Sequence, residues 1–212
     1  MSTAPDRRSR KRLATRQAIS DAATRLFIER GFDQVTVDDI AEAADVGRMT
    51  VFNHFQRKED MFFDRDAEGR ELLMAALASK ALELAPLEAL RQLVHQLVRE
   101  DHPALVFSQR SSSFVAAVGA SEALKARARA IRDELELALA QALAQSAGRT
   151  APDADAEFAA SLLLACWSSA YLQAHEVYRR SADAAQAQAW FLTRTEQGCA
   201  AVRAALAGTP YA

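Results

Sequence analysis

The chain has 212 residues, a formal net charge of −2, and only seven glycines and five prolines, with half of its residues hydrophobic. A chain of that length can bury roughly 70% of the surface it exposes when unfolded, so a packed core is expected and a disordered polyelectrolyte is excluded. Its abundance of alanine, leucine, glutamine, glutamate and arginine, with β-branched runs nearly absent outside Val35–Val37, predicts an all-α fold.

The charge is unevenly spread. Residues 1–16 carry Arg7, Arg8, Arg10, Lys11, Arg12 and Arg16 against Asp6 alone, which reads as a basic flexible arm over 1–11 able to rest on phosphates. Ile19, Ala22, Ala23, Leu26 and Phe27 recur at helical spacing and predict a first helix over about 12–30, ended by Gly31. Thr36 opens a second helix as its N-cap, with the Asp39 carboxylate reaching back in a capping box. Val37, Ile40, Ala41 and Ala44 form its inward face. After Asp45, Val46 and Gly47 a short third helix runs from Arg48 to His54, which makes a helix-turn-helix. Val51, Phe52 and Phe55 are expected to dock it.

Residues 58–81 predict one long fourth helix, apolar at both ends and polar in the middle, a rod joining two domains. Pro86 starts a fifth helix that Pro103 ends; a sixth covers about 104–118, and Ser121 caps a seventh. Residues 148–155 are a break, an eighth helix follows to about Arg180, and a ninth covers about 183–206. The pattern predicts about nine helices and no strand, arranged as a helix-turn-helix domain over 12–57 and a helical ligand-binding and dimerisation domain over 58–207. The eighth helix is apolar or small all the way round from Phe158 to Leu172 (FAASLLLACWSSAYL), so it should bury more than one face.

Residues 36–63 (TVDDIAEAADVGRMTVFNHFQRKEDMFF) resemble the DNA-binding signature of the TetR family of transcriptional regulators: a capped second helix, a valine-anchored turn, an aromatic-x-His-Phe ending and then Lys-Glu. The resemblance covers residues 12–63. It implies a homodimer on a double-stranded DNA operator, acting as a repressor released by a small, largely apolar effector. Three positions depart from the family pattern. Asp45 stands where glycine is usual, Gly47 replaces a small hydroxyl residue, and Phe52 replaces tyrosine; Asn53, where an aromatic is common, implies an altered base preference.

The residues expected to meet DNA are Arg48, Met49, Thr50 and Asn53 at base edges, with Thr36, His54 and Lys58 at phosphates. Arginine pairs with guanine, threonine packs on a thymine methyl, and asparagine pairs with adenine. Lys58 sits at a helix N-terminus, where a cation is unfavourable unless an anion lies opposite. Aromatic and polar residues of the C-terminal part, Phe107, Arg110, Phe114, Trp167, Tyr171, His175 and Tyr178, are candidates for the effector site. Phe158, Leu162, Ala165, Ser169, Trp190, Phe191, Gly198 and Ala201 are the expected dimer interface.

The competing classes are an enzyme and a helical scaffold. The four histidines (His54, His95, His102, His175) have no metal-ligand spacing, no nucleophile elbow is present, and the glycines form no phosphate loop, so no catalytic residue, metal or cofactor is expected. Cys166 and Cys199 read as thiols buried in helices. No apolar run reaches membrane-spanning length, which predicts a cytoplasmic protein with no membrane partner.

Overall fold

Ten α-helices and two short 3-10 turns make up the described residues of the computed structural model, 7–80 and 84–212, with no strand among them; for residues 79 and 80 the backbone alone is described. In chain order the helices are α1 (Arg7–Arg30), α2 (Val37–Ala43), α3 (Arg48–His54), α4 (Lys58–Phe62), α5 (Asp66–Lys80), α6 (Pro86–Arg99), α7 (Gln109–Ala120), α8 (Glu122–Ser146), α9 (Ala154–Ser181) and α10 (Ala184–Ala205). Residues 1–6 of the expected arm and position 81 of the expected fourth helix lie outside the described residues. The rest of that arm, 7–11, is helical and forms the start of α1.

Two further expectations are corrected. The rod expected over 58–81 is two helices, interrupted between Phe62 and Asp66. Phe63 leaves helical geometry (φ −105°, ψ 39°) as its N–H closes α4 on the Glu59 carbonyl, and the Asp66 carboxylate then accepts from the next backbone N–H, of Ala67, at 2.7 Å. Short acidic side chains compete in this way for backbone groups and favour helix ends. The sixth helix begins at Gln109 rather than 104, because Ser108 and Ser111 exchange side chain-to-backbone hydrogen bonds that start it there (2.9 and 3.2 Å).

The chain divides into two units, one holding the residues up to Arg65 with 116–127, the other 66–115 with 128–212. The first is thus larger than the expected 12–57, since it includes α4 and the start of α8. Its core is Ile19, Ala23, Leu26, Phe27, Phe32, Ile40, Val51, Phe55, Met61 and Phe62, all buried. Phe27 meets Phe32 at 4.8 Å and Phe62 at 5.8 Å between ring centroids, the tilted packing that aromatic quadrupoles favour. The buried Ser20 hydroxyl donates to the Met61 carbonyl at 3.1 Å, and Arg127 pairs with Asp60 at 2.9 Å, so α4 is held to α1 and to the first turns of α8.

In the second unit α9 and α10 form an antiparallel hairpin. Ala182 makes the turn in left-handed geometry (φ 54°), and Asp153 and Asp183 cap the two helices. Leu77, Leu87, Leu90, Leu139, Leu143, Leu163, Val202 and Tyr211 build one buried cluster. A second centres on Val94, Val98, Phe107, Ala174 and Phe191. Arg91 of α6 bonds Glu88 and Glu196 at 2.8 Å each, tying α6 to α10.

Candidate nucleic-acid interface

Thr36 caps α2 as the sequence predicts. Its side-chain oxygen accepts from the Asp39 N–H at 3.2 Å, and Asp39 accepts from the Thr36 N–H at 2.8 Å. The hydrogen bonds from Thr36 hold the Asp39 carboxyl below its usual range. The Thr36 hydroxyl proton is directed at Asp39 as well, so this hydroxyl is committed to the cap rather than free for a phosphate.

The turn from α2 to α3 places Asp45 at φ 51°, a left-handed conformation that aspartate tolerates less readily than glycine. Gly47, where a small hydroxyl residue is usual, caps α3 without a side-chain hydrogen bond. Val51 and Phe55, one helical turn apart, are buried and dock α3. Phe52 does not: it is 42% exposed and lies on the outward face with Arg48, whose guanidinium sits 5.6 Å from its ring. Arg48 and Phe52 share one face of α3 and Val51 lies off it, while Phe55 turns inward as the extended C-cap residue (φ −137°), so the expected docking role belongs to Val51 and Phe55 alone.

Arg48, Met49 and Asn53 are exposed and Thr50 is half-buried, which leaves the N-terminal part of α3 open on its outer side. Arg48 is parked on Asp38 of α2 at 2.7 Å, with both side chains largely exposed. Such a surface pair contributes about 0.2–1 kcal/mol. A bidentate contact to guanine is worth about 1–3 kcal/mol, so the guanidinium can leave the aspartate for a base edge at a net gain.

His54 ends α3. Its carbonyl accepts from Arg16, whose guanidinium also lies 3.9 Å from the Phe55 ring, a cation placed where the helix dipole favours one. Burial, together with the charges of Arg12 and Arg16, holds the His54 imidazole below its usual pKa. The α1 cations therefore gather beside the end of α3, a local positive field that the overall charge of −2 conceals.

Lys58 departs from its expected role. Its ammonium donates to the Phe32 and Val35 carbonyls at 2.8 Å each and stands 4.0 Å from the Phe32 ring. A lysine at the start of α4 is tolerated because these carbonyls supply the partial negative charge, so no phosphate is needed to explain it. Sequence reasoning missed this partner because Phe32 and Val35 lie in an irregular connection where carbonyl directions follow no repeat. Lys58→Ala is expected to lower unfolding stability by about 1–3 kcal/mol, leaving the Val35 carbonyl without its donor and the Phe32 carbonyl with the Val35 N–H at 3.4 Å. The salt dependence of DNA binding should be unchanged; chemical denaturation and a salt titration of binding check the two halves.

Among the candidates in the second unit, the structure brings together Phe107, Tyr171 and His175, with Trp167 and Tyr178 packed against the same cluster. Phe114 is half-buried on α7, and Arg110 is exposed and outside the cluster. Of the expected dimer residues, Phe158, Ala165, Ser169, Trp190 and Ala201 are exposed, whereas Leu162 packs partly against the unit's own core. Phe191 is buried against Phe107 at 5.8 Å, and Gly198 faces Cys166, so neither is presented to a partner. Leu172, 56% exposed, joins the outward face that the sequence reading assigned to others.

Residues 19–64 match the family model described as bacterial regulatory proteins, tetR family. The chain is 35% identical over 86 residues to the HTH-type transcriptional regulator TcmR of Streptomyces glaucescens, an alignment covering 41% of this chain and 38% of TcmR. It is 40% identical over 67 residues to the HTH-type transcriptional repressor Rv1474c of Mycobacterium tuberculosis, covering 32% and 35%. The matched segments thus span less than half of these curated relatives. Over the whole fold it resembles SmeT in a complex with triclosan (TM-score 0.55, 20% identity, 91% of each chain), SmeT being described as the repressor of a Stenotrophomonas maltophilia multidrug efflux pump. It also resembles the repressor FadR of Thermus thermophilus bound to lauroyl-CoA (TM-score 0.55, 22% identity, 88% of this chain and 92% of that one). A capped α2, a left-handed turn and an α3 docked by Val51 and Phe55 make up the frame of the matched segment, and over residues 19–64 the chain is similar to the tetR family of bacterial regulatory proteins.

Proposed function

We propose that the chain is a sequence-specific DNA-binding regulator without catalytic activity, which works as a homodimer and represses transcription until a small, largely apolar effector binds its C-terminal unit. The observation that carries this reading is the division between a docked side, Val51 of α3 and the C-cap Phe55, and an open one, with Arg48 and Met49 at the N-terminus of α3 and Asn53 near its C-terminal end. Arg48 reads guanine, Asn53 reads adenine, and Thr50 meets a thymine methyl. His54 and the cations of α1 rest on the flanking phosphates.

The exposed positions Phe158, Ala165, Ser169 and Leu172 of α9, and Trp190 and Ala201 of α10, recur at the spacing of one helix face each. They mix small residues that permit close approach with large ones that add buried area, which supports pairing of two such hairpins into a four-helix interface. The repressors SmeT and FadR, described in complexes with triclosan and lauroyl-CoA, support an effector-binding role for this chain.

A gel shift with DNA flanking the chain's own gene tests the reading. The wild type should form a discrete complex that survives competition by unrelated DNA. Arg48→Ala should weaken it by about 1–3 kcal/mol and relax preference at one base pair of each half-site. Equal affinity for flanking and unrelated DNA would refute sequence-specific regulation.

A further inference from the structure

Helix α9 places Trp167, Tyr171 and His175 four residues apart on one face, and α10 places Phe191, Thr195 and Cys199 at the same spacing. Phe107 closes the cluster between them. Its ring centroid lies 5.0 Å from His175, 6.1 Å from Tyr171 and 5.8 Å from Phe191, and Tyr171 lies 4.6 Å from His175. The surroundings are apolar, with Val94, Val98, Ala170, Ala174 and Ala187 filling the walls.

Buried polar atoms without a partner remain in this apolar setting. His175 is 2% exposed and its Nε2 makes no hydrogen bond; Thr195 is fully buried and its Oγ1 makes none. Trp167 Nε1 is also unpaired, with the Cys199 thiol, a weak acceptor, as its neighbour. Folded proteins leave few such atoms, because each has given up its hydration for nothing. The other nitrogen of the histidine is engaged: Ser112, itself 6% exposed, holds Nδ1 through its hydroxyl at 3.3 Å. That bond fixes the ring and leaves one nitrogen for something else.

The charge state narrows what that is. Burial pushes the His175 imidazole down to about 4, so the ring is neutral near pH 7. The neighbouring charges are not free, since Arg91 and Glu196 bond each other at 2.8 Å. An ionised ligand would find no counter-charge in the cluster, whereas a neutral one with a single hydroxyl or carbonyl would satisfy Nε2. Phe107 itself lies in irregular backbone between the 3-10 turn Pro103–Leu105 and α7, so its ring can withdraw without breaking a helix.

Building on the regulator reading above, we propose that the effector is a small uncharged aromatic molecule carrying one hydrogen-bonding group, which takes the place of the Phe107 ring and pairs with His175 Nε2. His175 is then the residue that selects a phenol-like compound over a plain hydrocarbon or a carboxylate.

Calorimetric titration of the full chain with 2-naphthol, naphthalene and 2-naphthoate tests this. 2-Naphthol should bind at least about tenfold tighter than either of the others, the worth of one buried hydrogen bond. His175→Leu should erase that preference and leave 2-naphthol and naphthalene alike, and Ser112→Ala, which keeps the ring but frees it, should reduce the preference several-fold. The double variant Ser112→Ala/His175→Leu should hold or raise the thermal midpoint, because it removes a buried polar pair with an unpaired nitrogen; a purely structural pair would lower it. Tightest binding of 2-naphthoate, binding of no probe, or a preference that survives His175→Leu would overturn the proposal. A gel shift on the flanking DNA separates the two readings. A retained shift with no probe bound removes the effector class alone, and an absent shift removes the regulator reading whatever the probes do.

Discussion

Leu172→Asp is expected to give a folded helical chain that sediments as a monomer and binds operator at least about 10²-fold more weakly than the wild type. Leu172 is 56% exposed, so the new carboxylate faces water in the isolated chain and costs the fold little. Between two paired hairpins it would be buried against an apolar neighbour, where an unpaired charge is not tolerated. The large effect on DNA binding arises because one dimer engages two half-sites, the second at high effective concentration, and a monomer engages one. Leu162 is a poorer probe of the same interface, because it packs partly against its own unit and a charge there would damage the fold as well. Sedimentation equilibrium, circular dichroism and fluorescence anisotropy with operator DNA together separate these outcomes. A variant that remains dimeric would place the interface elsewhere.

Gly198→Ala should destabilise the chain by about 1–3 kcal/mol, a large effect for one methyl group. A Cβ at position 198 would lie 2.8 Å from the Cys166 Cβ and 3.1 Å from its Sγ. The nearer atom is the root of a side chain on a helix and not the end of a flexible one, so only the backbones can give way. That contact lies in the α9–α10 pairing, the most extensive between any two helices described. Moving the methyl across the crossing, with Gly198→Ala combined with Cys166→Gly, should recover part of the loss, because the two positions share one space. Thermal unfolding of the two single variants and the pair measures the coupling. Additive losses would show that the helices do not meet there.

Local rules are enough to locate the candidate DNA-reading frame. The Thr36 capping box, the strained Asp45, the uncapped Gly47 and the docking of Val51 and Phe55 each depend on neighbours a few residues away, and each is legible along the chain. Side-chain partners distant in sequence were not. Lys58 meets the Phe32 and Val35 carbonyls across 26 and 23 residues, and no spacing rule reaches that far. The break between α4 and α5 was hidden because residues 58–81 are helix-forming on average, while the interruption rests on the Phe63 geometry and one aspartate. Phe191 and Gly198, expected at a partner, lie against their own unit, and the sequence does not show this for a related reason. When a helix is apolar or small on several faces, periodicity cannot say which face meets its own subunit; the hairpin turn at Ala182 decides it. The aromatic cluster around His175 was legible as a list of residues, and the unpaired Nε2 became visible only once Ser112, 63 residues away, was found on the other nitrogen.

In the proposed regulator two copies of this chain read DNA together through Arg48 and its neighbours on α3. Hydroxyl-radical footprinting on the DNA flanking the gene tests it most directly. Two protected segments are expected on one face of the duplex, roughly 34–36 Å apart or somewhat further, related by a pseudo-dyad and lost together in Leu172→Asp. A single protected segment, or uniform protection without sequence preference, would contradict it.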